Sequence, residues 1–253
     1  MSKCAYCPSS GPFTREHIWP RSLIQKYDSL KTYNPKTNKY YQGDAVIKDV
    51  CSICNNEKLS MLDSYLSSLY DNFLGRIVEA GEQATIEFDY SLLLRSLLKI
   101  SYNSTRASDN VASKNLLQTY ANFIIDGGYC KTVMLQLQIV TSSRMMDLES
   151  GAERTIRPVM MRCALVAYGG PLAHRFCIRM IAINSFWFYL IIPYKDEPPH
   201  IWDELLHGLS DWATPTGILI EKTSTKLFVP VEKTTYFHSD LLGSLLSATG
   251  QKK

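Results

Sequence analysis

VCSICNNEK, residues 50–58, decides how the first quarter of this chain is read. Its C-x-x-C places two thiols on one tight turn, and a second such pair, Cys4 and Cys7, lies upstream. Two knuckles of this kind supply the four thiolates of a tetrahedral zinc site. The expectation is therefore a structural Zn²⁺ held by Cys4, Cys7, Cys51 and Cys54. The knuckles are 43 residues apart, where a zinc ribbon leaves about 15–20, so an insertion separates them. Without a metal, the first 56 residues hold too few large apolar side chains to form a core. Seven cysteines is an odd number, which argues against a fully paired disulfide framework and for metal ligation in a reducing compartment. The other three, Cys130, Cys163 and Cys177, sit in apolar stretches and read as buried thiols.

Downstream of the second knuckle the texture becomes helical. Leu59, Leu62, Leu66, Leu69 and Phe73 recur at three- and four-residue steps, the period of an amphipathic helix, with Asn55 or Asn56 as its N-cap. Further helices are expected over 90–103 and 111–125, the latter ending before Gly127-Gly128. Beyond Gly128 the chain turns to strands: KTVMLQLQIV, RPVMMRCALVAY, RFCIRMIAI and SFWFYLIIP are dense in β-branched and aromatic residues. SFWFYLIIP reads as a central buried strand, IWDELLHGL as a short helix, and LFVPVEK as a last strand near an edge. The fold class is α+β: an N-terminal zinc-stabilised module over 1–75, a helical connector over 76–127, and a mostly antiparallel C-terminal sheet over 128–253.

Hydrophobic content of 45% and aromatics at 11% are those of a folded chain rather than a disordered one. No apolar run approaches the roughly 20 residues that span a bilayer, and MSKCAYCPSS has no secretory h-region. A cytoplasmic protein with no membrane partner is expected. Net charge is +3, unevenly placed: nine Lys/Arg against five acids give +4 for residues 1–60, leaving −1 for the rest. A basic excess around the knuckles suits the approach of a polyanion. No Gly-rich phosphate loop is present, so ATP use is not expected. His174, His200, His207 and His238 form no ligand-spaced pair.

The insertion carries REHIWPRSL, residues 15–23. The order C-x-x-C, then Glu16-His17-Ile18-x-Pro20, then Val50-Cys51-x-x-Cys54-Asn55-x-x-Lys58 resembles the HNH endonuclease family over about residues 4–63. The resemblance implies a ββα-metal finger in which His17 is the general base that activates water. It implies Glu16 and Asn55 as ligands of a catalytic Mg²⁺ or Mn²⁺, and DNA as the substrate. The chemistry is coherent: a neutral imidazole takes a proton from water near pH 7, and a hard cation offsets charge on the scissile phosphate. Family members of this size resemble restriction or anti-phage effectors. One position departs from the pattern: the stretch 43–49 holds no Asn, which leaves Asp44 or Asp49 to brace the finger. Arg15, Arg21 and Lys58 are candidate phosphate contacts, and Trp19 is expected in the small core. The C-terminal region is expected to be regulatory, binding a partner (an ATPase or sensor) or a second copy. The competing reading is a zinc-stabilised nucleic-acid or protein binding module without cleavage.

Overall fold

A short antiparallel ladder and the opening turns of a long helix carry the second pair of knuckle cysteines, Cys51 and Cys54. The first pair, Cys4 and Cys7, lies in the turns before the ladder. The computed structural model describes residues 3–27, 31–34, 39–42, 44–108, 110–146, 150–210 and 217–232. Strand β1 (Phe13–His17) is followed by helix α1 (Arg21–Ile24) and the paired strands β2 (Lys31–Asn34) and β3 (Lys39–Gln42). Then β4 (Val46–Cys51) returns antiparallel to β1, with Thr14 opposite Val50 and His17 opposite Val46. Between those pairs one β1 residue faces two on β4, a bulge that bends the ladder.

Helical geometry then runs from Cys54 to Leu74. It opens with a wide π-type turn over Cys54–Leu59, continues as α2 (Ser60–Leu69) and closes with a second wide turn over Tyr70–Leu74. The expected leucines Leu59, Leu62, Leu66 and Leu69 are all buried. The expected cap is not: helical geometry begins before Asn55, whose side chain is used elsewhere.

Strand β5 (Gln83–Glu87) leads to α3 (Tyr90–Arg106), capped by Asp89, whose carboxylate accepts from Leu92 N–H at 2.8 Å. α3 is buried on every side from Leu93 to Asn103, as a helix at the centre of a molecule must be. The stretch expected as one helix over 111–125 is two, α4 (Val111–Gln118) and α5 (Ala121–Asp126). Thr119 Oγ1 donates back to Leu116 O at 2.8 Å, a local bond that competes with the helical ladder. Gly127, at φ 73°, ends α5.

The sheet contains β6 (Met134–Ile139), β9 (Met161–Leu165), β10 (Phe176–Ile183), β11 (Phe186–Pro193) and β12 (Ile218–Leu219), in the order β12-β6-β11-β10-β9, every pair antiparallel. A separate ribbon joins β7 (Ser143–Met146) to β8 (Glu153–Ile156). β11 is central, as SFWFYLIIP suggested, and every one of its residues is buried. Its side chains alternate: Phe186, Phe188 and Leu190 face the α3 side, while Trp187, Tyr189 and Ile191 face helix α6 (Pro199–Ser210). Burial of both faces explains why the sequence shows an unbroken apolar run and no alternation. Strand β13 (Lys226–Pro230) pairs with β5. Lys233 of the expected last strand, and His238, lie outside the described residues. Of the three isolated cysteines only Cys177 is fully buried; Cys130 and Cys163 are partly exposed. Among the described residues no helix is long and apolar enough to cross a membrane.

Candidate metal centre and adjoining cleft

The four knuckle sulfurs all lie within 4.8 Å of one another, and Cys7 Sγ is 3.6 Å from Cys51 Sγ. A tetrahedral zinc with Zn–S near 2.3 Å sets its sulfurs about 3.8 Å apart, so the donor set fits a metal such as zinc. Local backbone prepares the site. Cys4 Sγ accepts N–H groups from Cys51 at 3.3 Å and Tyr6 at 3.5 Å. Burial works to raise the Cys4 thiol, but the backbone donors of Cys51, Tyr6 and Cys7 together outweigh it and bring its pKa down to about 7. Burial, reinforced by neighbouring thiols, pushes Cys54 up, and burial pushes Cys7 up. One thiol is thus poised as a thiolate and others are not, so metal binding releases protons.

Beside this centre lies an open cleft of about 390 Å³ lined by Arg15, His17, Arg21, Asp44 and Val46. Arg15 and His17 share one face of β1 by the two-residue period of a strand. His17 Nε2 is 3.2 Å from Asp44 Oδ2, and both side chains are partly exposed. Of the two acids expected to brace the finger, Asp44 meets the histidine. Asp49 instead pairs with Arg106 Nη2 on α3.

Glu16 faces the other way. It is 2% exposed, and its Oε1 lies 2.6 Å from Lys99 Nζ and 3.2 Å from Asn103 Nδ2. Lys99, 1% exposed, also meets Asp63 Oδ1 at 2.5 Å. Burial raises the Glu16 carboxyl above its usual range despite the pull of Lys99. Burial works against the Lys99 charge, but Asp63 and Glu16 overcome it and raise the ammonium pKa. Asn55 joins the helix start to β1: its Nδ2 donates to Thr14 Oγ1 at 2.8 Å and to Arg15 O at 3.0 Å. Of the donors expected to hold a catalytic cation, Glu16 is turned into the core, and Asn55 commits its NH₂ to β1; Asp44 is the carboxylate that lines the cleft.

Of the candidate phosphate contacts, Arg15 and Arg21 line the cleft. Lys58 is paired with Asp126 at 2.9 Å at the foot of α5. Trp19 packs, partly buried, against the core as expected. The residues not foreseen are on α3: Lys99, Asn103 and Arg106. The last lies over the edge-to-face pair of Tyr6 and Tyr102, its guanidinium 5.4 and 5.0 Å from their ring centres. Their four- and three-residue spacing was visible in the sequence, as a polar stripe. No family model, no curated protein and no solved structure matches this chain.

Proposed function

We propose that this chain is an HNH-type endonuclease that hydrolyses phosphodiester bonds in DNA with His17 as general base. The observation that carries the reading is the His17–Asp44 pair at 3.2 Å in a cleft also lined by Arg15 and Arg21. An imidazole that donates Nε2–H to Asp44 keeps its Nδ1 lone pair for a proton from water. The hydroxide so formed attacks phosphorus, the P–O bond to the leaving sugar oxygen breaks, and that oxygen takes a proton from solvent. Arg15 and Arg21 are placed to hold the phosphate oxygens, as guanidinium groups do. A divalent Mg²⁺ or Mn²⁺ belongs to the reading as a sink for phosphate charge. Because Glu16 is turned inward, no step of the chain's own chemistry is assigned to such an ion. A role in restriction or anti-phage defence, and control by a partner or second copy through the C-terminal sheet, extend the same proposal.

The test is nicking of supercoiled plasmid with Mg²⁺ or Mn²⁺, comparing wild type with His17→Ala. Cleavage is expected to disappear in the variant while metal content and fold remain, since His17 lies at the surface of the cleft. A variant as active as wild type removes His17 as the base. A wild type that binds duplex DNA but never nicks it replaces the enzyme with a zinc-stabilised binding module.

A further inference from the structure

Asn103 is fully buried in the last turns of α3 and makes four hydrogen bonds to three parts of the chain. Its Oδ1 accepts from Tyr6 OH at 2.5 Å and from Arg106 Nη1 at 2.9 Å. Its Nδ2 donates to Glu16 Oε1 at 3.2 Å and to His17 O at 3.4 Å. A guanidinium can only donate, so the oxygen of the carboxamide must face Arg106 and its NH₂ must face Glu16 and His17. Both donors and both lone pairs are used, which leaves the side chain one orientation. Tyr6 lies within the first cysteine knuckle, and Arg106 reaches Asp49 on β4. The one amide therefore ties the metal centre, the β1–β4 ladder and α3 to the peptide that carries the imidazole.

We propose that Asn103 is a positioning residue for His17, holding the Glu16–His17 segment so that the imidazole meets Asp44 across the cleft. This rests on the nuclease reading. Asn103 touches no substrate; it acts through the backbone of His17 and through Glu16. With its NH₂ lost, the Glu16 side chain keeps Lys99, and the strand keeps its ladder, the Asn55 bonds and Ile18 N–H to Ala45 O. The His17 carbonyl, however, loses its tie to α3, and the imidazole is held less firmly against Asp44. Misplacement of a catalytic group lowers the rate of the chemical step more than it weakens substrate binding.

The isosteric variant Asn103→Asp tests this directly. It keeps an acceptor for Tyr6 and Arg106 but sets a second oxygen against the Glu16 carboxylate and the His17 carbonyl. In zinc-replete full-length protein, kcat for plasmid nicking is expected to fall about tenfold or more while KM moves less than about twofold. Tyr6→Phe, which removes only the hydroxyl that orients the amide, should lower kcat by a smaller factor and serves if Asn103→Asp does not fold. A soluble, zinc-replete Asn103→Asp with wild-type kcat, or wild-type kcat in Tyr6→Phe where it alone folds, overturns the proposal and leaves a structural tie only. A fall in KM-limited binding at constant kcat overturns it as well. Failure of the wild type to cleave is a different result: it removes the nuclease reading, and this inference with it.

Discussion

At the residue scale, Lys99 sets the terms on which β1 meets α3. An ammonium taken out of water costs several kcal/mol unless well paired, and Lys99 has two carboxylates at 2.6 and 2.5 Å. Lys99→Met leaves Glu16 buried without its cation, and the loss is expected at about 3–5 kcal/mol near neutral pH. The penalty should depend on pH. Glu16 already has a raised pKa from burial, and loss of Lys99 raises it further. A carboxyl with a raised folded-state pKa favours folding in its protonated form, so it costs least below its usual value of 4.5 and most as pH rises. The stability gap between wild type and variant, measured by urea unfolding, should therefore be wider at pH 8 than at pH 5. A gap that is constant, or wider at pH 5, would show that Glu16 is not the group left unpaired. These residues were not legible because Arg95, Lys99, Asn103 and Arg106 repeat at helical steps, and a polar stripe on a helix ordinarily marks the solvated face. The β1–β4 ladder packs over Lys99, Asn103 and Arg106, and the end of α5 over Arg95, which one-dimensional periodicity does not register. Glu16 misled for a related reason: its neighbour His17 marks the cleft, but adjacent strand residues point apart.

At the scale of elements, the tip of the β10–β11 hairpin does more than turn the chain. Asn184 sits at φ 49°, its Oδ1 accepts from Tyr27 OH at 3.0 Å, and its Nδ2 donates to Leu74 O at 3.1 Å. Ser185 Oγ accepts from Val78 N–H at 2.9 Å. One turn thus fastens the segment after β1, the end of the long helix and the sheet. Asn184→Ala loses both side-chain bonds and puts a Cβ without a local partner at positive φ, for an expected cost of about 2–4 kcal/mol. Asn184→Gly loses the same bonds without that strain and should be milder by about 1 kcal/mol. Equal midpoints for the two variants in thermal unfolding would rule out backbone strain as part of the cost. Elements of this kind differ in how well the sequence announces them. β10 and β11 stood out because two-sided burial demands apolar residues at nearly every position, the exception being Arg179 on β10, whose buried guanidinium donates to Ser101 Oγ. The cysteine knuckles stood out because four thiols must share one shell. The break between α4 and α5 did not, since a single threonine hydroxyl turning back on its own helix leaves the apolar pattern intact. The pairing of β5 with β13 did not either: it joins residues 83–87 to 226–230, and no local pattern encodes a partner so far along the chain.

At the scale of the whole molecule, one cluster of buried apolar side chains runs from Cys4 to Val231. It takes in the knuckles, the leucines of α2, the apolar side chains of α3 and the α3-facing side of the sheet. The β5–β13 ladder and the Tyr27–Asn184 bond cross the same span. A metal at the four cysteines would then stabilise more than its own turns, because the ligands are packed into the cluster they anchor. Structural zinc contributes its binding free energy to folding, and a shared core passes that contribution to every element that must unfold with it. The expected outcome is one zinc per chain by metal analysis and a single calorimetric transition. Zinc removal with a strong chelator should lower the whole transition, on the order of ten degrees or more. Two resolved transitions, the upper one indifferent to chelator, would mean that the sheet folds independently of the knuckles. The distinction bears on control: an independent sheet can influence the cleft only through its linker, whereas a partner seated on a sheet that shares this core shifts the same equilibrium that holds β1 against α3.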